Sequence, residues 1–234
     1  MTGSKVAVIP ARGGSKRIER KNIRMVGGRP LLGYAVETAL DSGLFDRVIV
    51  SSEDAEICKI AVEWGAEALD RPASLAGDMP NVPDVVRHHL AEFEAAGTLP
   101  DFCCILYATA ALVRPDDLRG AFEVFGARDD VDFVMAVSSF PLHPYKALAE
   151  EEGDYLRPLF AEQIGLRSQD VPDYVAPNGT FHWGRSRAFL QNIPFADARR
   201  VGYRIPFHRA VDIDEPEDLE LLEHLLAREG RVTP

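Results

Sequence analysis

Six cations crowd the stretch between Arg12 and Arg24, namely Arg12, Lys16, Arg17, Arg20, Lys21 and Arg24, opposed there only by Glu19. They follow an apolar, β-branched run, Lys5–Pro10, by way of Ala11-Arg12-Gly13-Gly14-Ser15-Lys16. Gly13 and Gly14 carry no side chain to keep backbone N–H groups away from phosphate oxygens. Arg12, Lys16 and Lys21 add the formal charge that a triphosphate and its departing anion require. The chain as a whole is acidic, net −11 over 234 residues, which argues against general affinity for nucleic acid. A basic loop on an acidic chain implies a local anionic ligand, with a solvated basic turn as the bland alternative. Two familiar phosphate sites are excluded: the stretch is neither Gly-x-x-x-x-Gly-Lys-Ser/Thr nor Gly-x-Gly-x-x-Gly.

The second group is Val211-Asp212-Ile213-Asp214. On extended backbone alternate side chains point the same way, so the two carboxylates can share a hard divalent cation such as Mg²⁺ beside nucleotide phosphates. The competing explanation is helix capping, with Asp214 as N-cap of a helix entered through Pro216 and Glu217 at the capping-box position. Capping accounts for Asp214 and leaves Asp212 unexplained. A third group, Arg167-Ser168-Gln169-Asp170 followed by Asn178-Gly179-Thr180-Phe181-His182-Trp183, has the chemistry to clamp a carboxylate and bond sugar hydroxyls. By spacing alone it is an ordinary polar loop. His88 and His89 read as helix packing rather than metal ligands, and His182 is ambiguous.

These groups need a scaffold, and the hydrophobic pattern supplies one. Strand-like runs fall at Lys5–Pro10, Arg47–Ser52, 66–69, 102–107 and 133–137. Between them come helical faces: Leu31, Leu32, Ala35, Val36, Ala39 and Leu40; Ile57, Ile60, Ala61 and Trp64; Val85, Val86, His89, Leu90 and Phe93; Leu118, Ala121, Phe122 and Phe125. Such alternation implies βαβ units, hence an α/β fold with a mainly parallel sheet covered by helices on both faces. Ligands of such sheets sit beyond the carboxyl ends of the strands, where the basic loop lies. The rhythm breaks over residues 140–180, rich in proline, which reads as an arm on the sheet. It resumes with extended pieces at 180–183 and 201–206, a short helix at 187–191 and a terminal helix from Pro216, with Leu219, Leu222, Leu225 and Leu226 on one side.

The composition suits one domain over residues 1–234, with no apolar run near the roughly 20 residues of a membrane span. No cleavage-site pattern follows Met1-Thr2-Gly3-Ser4, so no signal peptide is expected. Three cysteines, Cys58, Cys103 and Cys104, the last two adjacent in an apolar run, suggest reduced thiols and a cytoplasmic protein.

Ile9-Pro-Ala-Arg-Gly-Gly-Ser-Lys-Arg-Ile, with Arg20-Lys-Asn-Ile behind it, resembles the opening motif of the nonulosonate cytidylyltransferases, the CMP-sialate, CMP-legionaminate and CMP-pseudaminate synthetases. The resemblance continues through Ser42-Gly-Leu-Phe-Asp-Arg-Val-Ile-Val-Ser, Arg71-Pro-Ala-Ser-Leu-Ala and Val211-Asp-Ile-Asp, across nearly the whole chain. It implies a Rossmann-like nucleotide-diphospho-sugar transferase fold, a homodimer joined through the 140–180 arm, and transfer of CMP from CTP to an acidic nine-carbon keto sugar. Carried over by position, Ala11, Arg12, Gly13, Ser15, Lys16, Lys21, Asn22 and Arg71 contact CTP. Lys21 and Asp212 are the catalytic pair, and Asp212 with Asp214 holds Mg²⁺. Tyr107, Arg167, Gln169 and Asn178 approach the sugar, some across the dimer. Tyr107-Ala-Thr-Ala and Arg167-Ser-Gln-Asp resemble the pseudaminate branch, whereas Pro177-Asn178-Gly179 is closer to the sialate pattern. Ala111 stands where the pseudaminate branch has Pro, and Glu19 replaces a usual Pro. Rival readings are a cytidylyltransferase for an eight-carbon Kdo-type sugar or another nonulosonate, and a nucleotide-binding regulator without turnover.

Overall fold

Strand β1 (Lys5–Pro10) lies within a seven-stranded sheet and is apolar on both faces because both are covered. Val6 and Val8 join one hydrophobic cluster and Ala7 and Ile9 another, as the twofold alternation of a strand requires. The computed structural model describes residues 3–77 and 81–232. After β1 the basic loop leads to a small hairpin, β2 (Met25–Val26) and β3 (Arg29–Pro30), and then to α1 (Leu31–Asp41). Pro30 ends β3 and is the N-cap of α1, one residue ahead of the first helical turn.

The alternating pattern then continues through β4 (Arg47–Ser52), α2 (Ala55–Glu63), β5 (Glu67–Asp70) and α3 (Val82–Ala95). It goes on with β6 (Phe102–Leu106), α4 (Pro115–Ala127) and β7 (Phe133–Ser139). Next comes the arm, with the antiparallel pair β8 (Leu148–Glu150) and β9 (Leu156–Pro158). The chain closes with β10 (Val175–Arg185), α5 (Ser186–Leu190), β11 (Arg200–Arg204) and α6 (Pro216–Arg228).

Sheet order is β11-β7-β10-β6-β1-β4-β5, and every neighbouring pair is parallel except those made by β10. The expected mainly parallel α/β sheet with helices on both faces is therefore what forms. The strand read at 180–183 proves to be the second half of an eleven-residue one, so the arm leaves the sheet after Ser139 and returns at Val175 rather than at 180. Its first half was hidden by Pro177 and Gly179, which sit where the register with β7 shifts.

One face of the sheet packs on α1, α2 and α4, with Trp183, Phe181 and Phe125 among its fully enclosed side chains. The other packs on α3 through Val86, Leu90 and Phe93 and on α5 through Ala188 and Phe189. Cys103 and Cys104 divide between these faces as buried free thiols. A third cluster matters most for the site. Leu222 and Leu226 of α6 enclose Ile18 of the basic loop together with Ile213, Leu31 and Tyr34. Burial of Ile18 and Ile213 in one cluster pulls the basic loop and the paired carboxylates together. Among the described residues no helix is long and apolar enough to cross a membrane.

Candidate active site

Parallel strands β1, β4, β5 and β6 all end on one edge of the sheet, and there the loops open a cleft of about 650 Å³. Its lining draws Pro10, Arg12, Ser15, Lys16, Arg17, Lys21 and Asn22 from the first loop, Arg71 from beyond β5, and Tyr107 from beyond β6. Asp212 and Asp214 face them. Ile213 between the two is fully buried, so the extended backbone turns both carboxylates outward into the cleft.

Capping is not the role of Asp214. The N-cap of α6 is Glu215, and its capping box closes with Asp218, one residue beyond the Asp214/Glu217 pairing that the sequence suggests. The Asp214 carboxylate instead meets Arg17 Nη2 at 2.5 Å and Lys21 Nζ at 3.4 Å. Lys21 also donates to the carbonyl of Ile213. The two acids consequently differ. Burial, then the charge of Asp214, raises the pKa of Asp212 above the ordinary value, with Lys21 opposing. Burial acts upward on Asp214 too, but the hydrogen bonds and charges of Arg17 and Lys21 outweigh it and hold that carboxyl low.

Five of the six cations of the loop divide their work. Arg12, Lys16, Arg17 and Lys21 line the cleft, whereas Arg20 turns to the scaffold. Arg20 adopts a left-handed backbone, φ 52°, and its guanidinium grips Asp54 through two hydrogen bonds of 3.1 Å. Asp54 is the N-cap of α2, accepting from the N–H groups of Glu56 and Ile57. That clamp sets the start of the single helical turn Lys21–Ile23 and so aims Lys21 at the cleft. Asn22, nearly buried, donates from Nδ2 to the carbonyl of Arg12 at 2.9 Å and braces the loop from within.

Ala11 and Gly13 lie behind the cleft rather than along it. Ala11 is fully buried and its N–H bonds to the carbonyl of Ser51. The N–H of Gly13 is taken by Glu53 Oε1 at 2.8 Å, and a Cβ at Gly13 would stand 2.6 Å from Asp54 Oδ2. Gly13 is thus required by the close approach of α2, while a Cβ at Gly14 would meet nothing within 4 Å. Glu53 and Asp54 escape a motif search because nothing in Ser52-Glu53-Asp54 distinguishes them from an ordinary helix start.

Tyr107 stands between the hydrophobic core and the cleft, and burial followed by the Asp212 charge raises its pKa. Gly179, at φ +65°, brings the irregular part of β10 against Asp212, since a Cβ there would lie 3.8 Å from Asp212 Oδ2. Asn178 is fixed by Thr180, whose Oγ1 donates to Asn178 Oδ1 at 2.7 Å, and its buried Nδ2 has no protein partner. Arg167 and Gln169 are elsewhere: both are exposed on the arm, where Arg167 pairs with Asp170 at 2.6 Å. A second cavity of about 510 Å³ adjoins the first through Asn81, with Phe133, Met135 and Phe189 inside and Arg87 and Arg200 among its walls. His182 belongs to this cavity, stacked on Phe189, its pKa pushed down to about 4 by burial and then by Arg200.

A cytidylyltransferase family model matches residues 6–141. The pseudaminic acid cytidylyltransferase of Campylobacter jejuni is 34% identical over 94% of this chain and 95% of its own length. N-acylneuraminate cytidylyltransferase A of Danio rerio is 30% identical over 96% of this chain and 51% of its own length. Among solved structures, CMP:2-keto-3-deoxy-manno-octonic acid synthetase in complex with CTP superposes with a TM-score of 0.75 at 17% identity, covering 97% of this chain and 99% of that one.

Proposed function

This chain belongs to the cytidylyltransferase family, and from that membership we propose that it moves CMP from CTP onto the anomeric hydroxyl of a nonulosonic acid, pseudaminic acid or a close relative, releasing pyrophosphate. One observation carries the reading. Asp212 and Asp214 face Lys21 and the glycine-containing basic loop across a single cleft at the carboxyl ends of the parallel strands.

In that cleft Arg12, Ser15, Lys16 and Lys21 receive the triphosphate, and Arg71 reaches it from beyond β5. The sugar hydroxyl attacks the α-phosphorus in line and releases its proton to water, the new P–O bond forms as the bond to the β-phosphate oxygen breaks, and pyrophosphate carries away the charge. Lys21 stands to neutralise charge on the phosphoryl oxygens, so positioning and electrostatics do the chemistry without a covalent enzyme intermediate. Asp212 and Asp214 fit Mg²⁺: two oxygen donors share one side of the chain, and burial and mutual repulsion leave Asp212 poorly stabilised as an anion. When bound there, the ion supplies Lewis-acid stabilisation of the transferring phosphate.

Tyr107 faces the sugar from the cleft wall, whereas Asn178 lines neither cavity and its unpartnered Nδ2 is buried; the adjoining cavity, apolar inside, takes the acylamino substituents. Tyr107 donates and accepts from one phenolic oxygen and cannot supply the spatially separate N–H donor and carbonyl acceptor of an amide side chain, so a sugar needing both leaves an unmatched group. Such a mismatch costs about 1–3 kcal/mol, roughly 5- to 150-fold in selectivity. Arg167 and Gln169 reach a sugar by assembling with a second copy, in a cytoplasmic homodimer.

The test is pyrophosphate release from purified protein with CTP, Mg²⁺ and a panel of acidic keto sugars. Pseudaminic acid should give the highest kcat/KM, and Tyr107→Gln should narrow its lead over N-acetylneuraminic acid. Preference for N-acetylneuraminic acid would make Pro177-Asn178-Gly179 the better guide, and equal turnover of UTP or GTP would reject the cytidylyl assignment.

A further inference from the structure

Arg71 is 5% exposed, and its place at the cleft is held by β4: Nη2 donates to the carbonyl of Ser51 at 2.7 Å and Nε to Ser51 Oγ at 3.4 Å. Ser51 is itself fully enclosed, and its hydroxyl lies 2.8 Å from Nε2 of His89, a fully buried residue of α3. On the far side of that ring Nδ1 meets Glu92 Oε2 at 3.2 Å. Directions of donation follow from chemistry. The carboxylate of Glu92 only accepts, so His89 Nδ1 is the protonated nitrogen. In the neutral ring Nε2 is then bare and accepts the Ser51 hydroxyl proton, while Ser51 Oγ accepts from Arg71 Nε. Burial keeps the pKa of His89 below the ordinary imidazole value, which suits this neutral tautomer.

We infer that His89 is a positioning residue for nucleotide binding, acting through Ser51 to hold the Arg71 guanidinium in the cleft. The inference rests on the reading of the cleft as a CTP site. A packing role alone would call for an apolar side chain at this position of α3, where Val86, Leu90 and Phe93 serve the core. The polar ring has instead both nitrogens engaged, and the chain of bonds ends at a cation that lines the cleft. The same helix brings Asn81, Val82 and Val85 to the cleft wall, so α3 and Arg71 are set together. The adjacent His88, Nε2 3.5 Å from Glu92 Oε1, gives this cluster the outline of a metal site, but His89 Nδ1, the nitrogen on that side, carries the proton donated to Glu92.

The experiment is calorimetric titration of CTP into the full-length chain, with steady-state kinetics and melting curves on the same samples. His89→Leu should weaken CTP binding by about tenfold, the loss of one hydrogen bond to a charged group, while kcat at saturating CTP stays within about twofold. His89→Gln, which keeps an acceptor near Nε2, should recover most of the affinity. Ser51→Ala deletes only the linking hydroxyl and covers the case in which His89→Leu folds poorly. It should produce a similar loss, and the double variant should be no worse than either single one. Wild-type CTP affinity in folded His89→Leu or Ser51→Ala, or strictly additive losses in the double variant, would overturn the inference. Failure of the wild-type chain to bind CTP would remove the nucleotide reading itself, and the inference with it, whereas an unchanged affinity in Arg71→Lys would leave that reading standing and overturn the inference.

Discussion

Asp212 and Asp214 are two residues apart and chemically unlike, because Arg17 and Lys21 hold one low while burial and its neighbour push the other high. An acid whose folded pKa is raised weakens the fold as pH climbs past its unfolded value, since the folded chain must then carry the awkward charge. Asp212→Asn should therefore melt no lower than wild type in the absence of metal, and higher where the repulsion dominates. Added Mg²⁺ should raise the melting temperature of the wild type and leave that of the variant unchanged. Turnover should fall by about 10²–10³-fold, the scale of losing one electrostatic group at a phosphoryl transition state. Near-normal activity of Asp212→Asn at limiting Mg²⁺ would sink the metal role. Asp214 was readable as a cap from sequence because Pro216 and Glu217 follow it at the right spacing. The N-cap is in fact Glu215, and Asp218 Oδ2 accepts from the N–H groups of both Asp214 and Glu215, which leaves the Asp214 carboxylate to the cations.

Elements carrying a single hydrophobic period were legible: β1 and β4 match their apolar runs end to end, and α1 to α4 follow their apolar stripes. What holds the elements in relation was not, because it consists of polar side chains without a spacing rule. Asp54 caps α2, grips Arg20 and fixes the room that Gly13 must leave, and its carboxyl is held below the ordinary value of 3.8, foremost by the Arg20 hydrogen bond. Removing it in Asp54→Ala should cost about 1–2 kcal/mol from the cap alone. It should also raise KM for CTP, because Lys21 loses its guide. The depressed pKa means that the stabilisation is complete above the unfolded value and fades as pH falls through the folded one. Urea denaturation at pH 7 and pH 3 should accordingly show a smaller difference for Asp54→Asn than for wild type, and equal differences would exclude the ion pair as an acid-sensitive clamp. A second clamp, the nearly buried Arg209–Asp117 pair, ties the segment leading to Asp212 onto the first turn of α4. Asp117→Ala leaves that guanidinium uncompensated and should destabilise by about 3–5 kcal/mol, read from the same denaturation curves.

The cleft joins residues as far apart as Arg12, Arg71, Tyr107 and Asp212, and only the recurrence of strands ending on one edge made their meeting readable in advance. Arg167 and Gln169 followed no such rule, and in the isolated chain they lie on the arm with exposed side chains. The same arm exposes large apolar side chains that a lone chain has no use for: Leu142 is 77% exposed, Tyr155 74%, Leu156 59% and Leu159 53%. The rest of the sheet keeps its apolar residues between helices, and such a concentration of exposed apolar side chains is what an interaction surface requires. The homodimer proposed above would account for both facts at once, burying the arm and delivering Arg167 and Gln169 to a neighbouring cleft. The wild type should therefore elute as a dimer by light scattering at micromolar concentration, and Leu156→Asp with Leu159→Asp should elute as a monomer. In that monomer CTP affinity should stay near wild type, because Lys21, Arg71 and Asp212 come from one chain, while kcat/KM for the sugar falls at least about tenfold with the loss of charged hydrogen bonds from the arm. A monomeric wild type with full activity, or a monomeric variant that keeps its sugar kcat/KM, would confine the whole site to one chain and leave the exposed arm to some other partner.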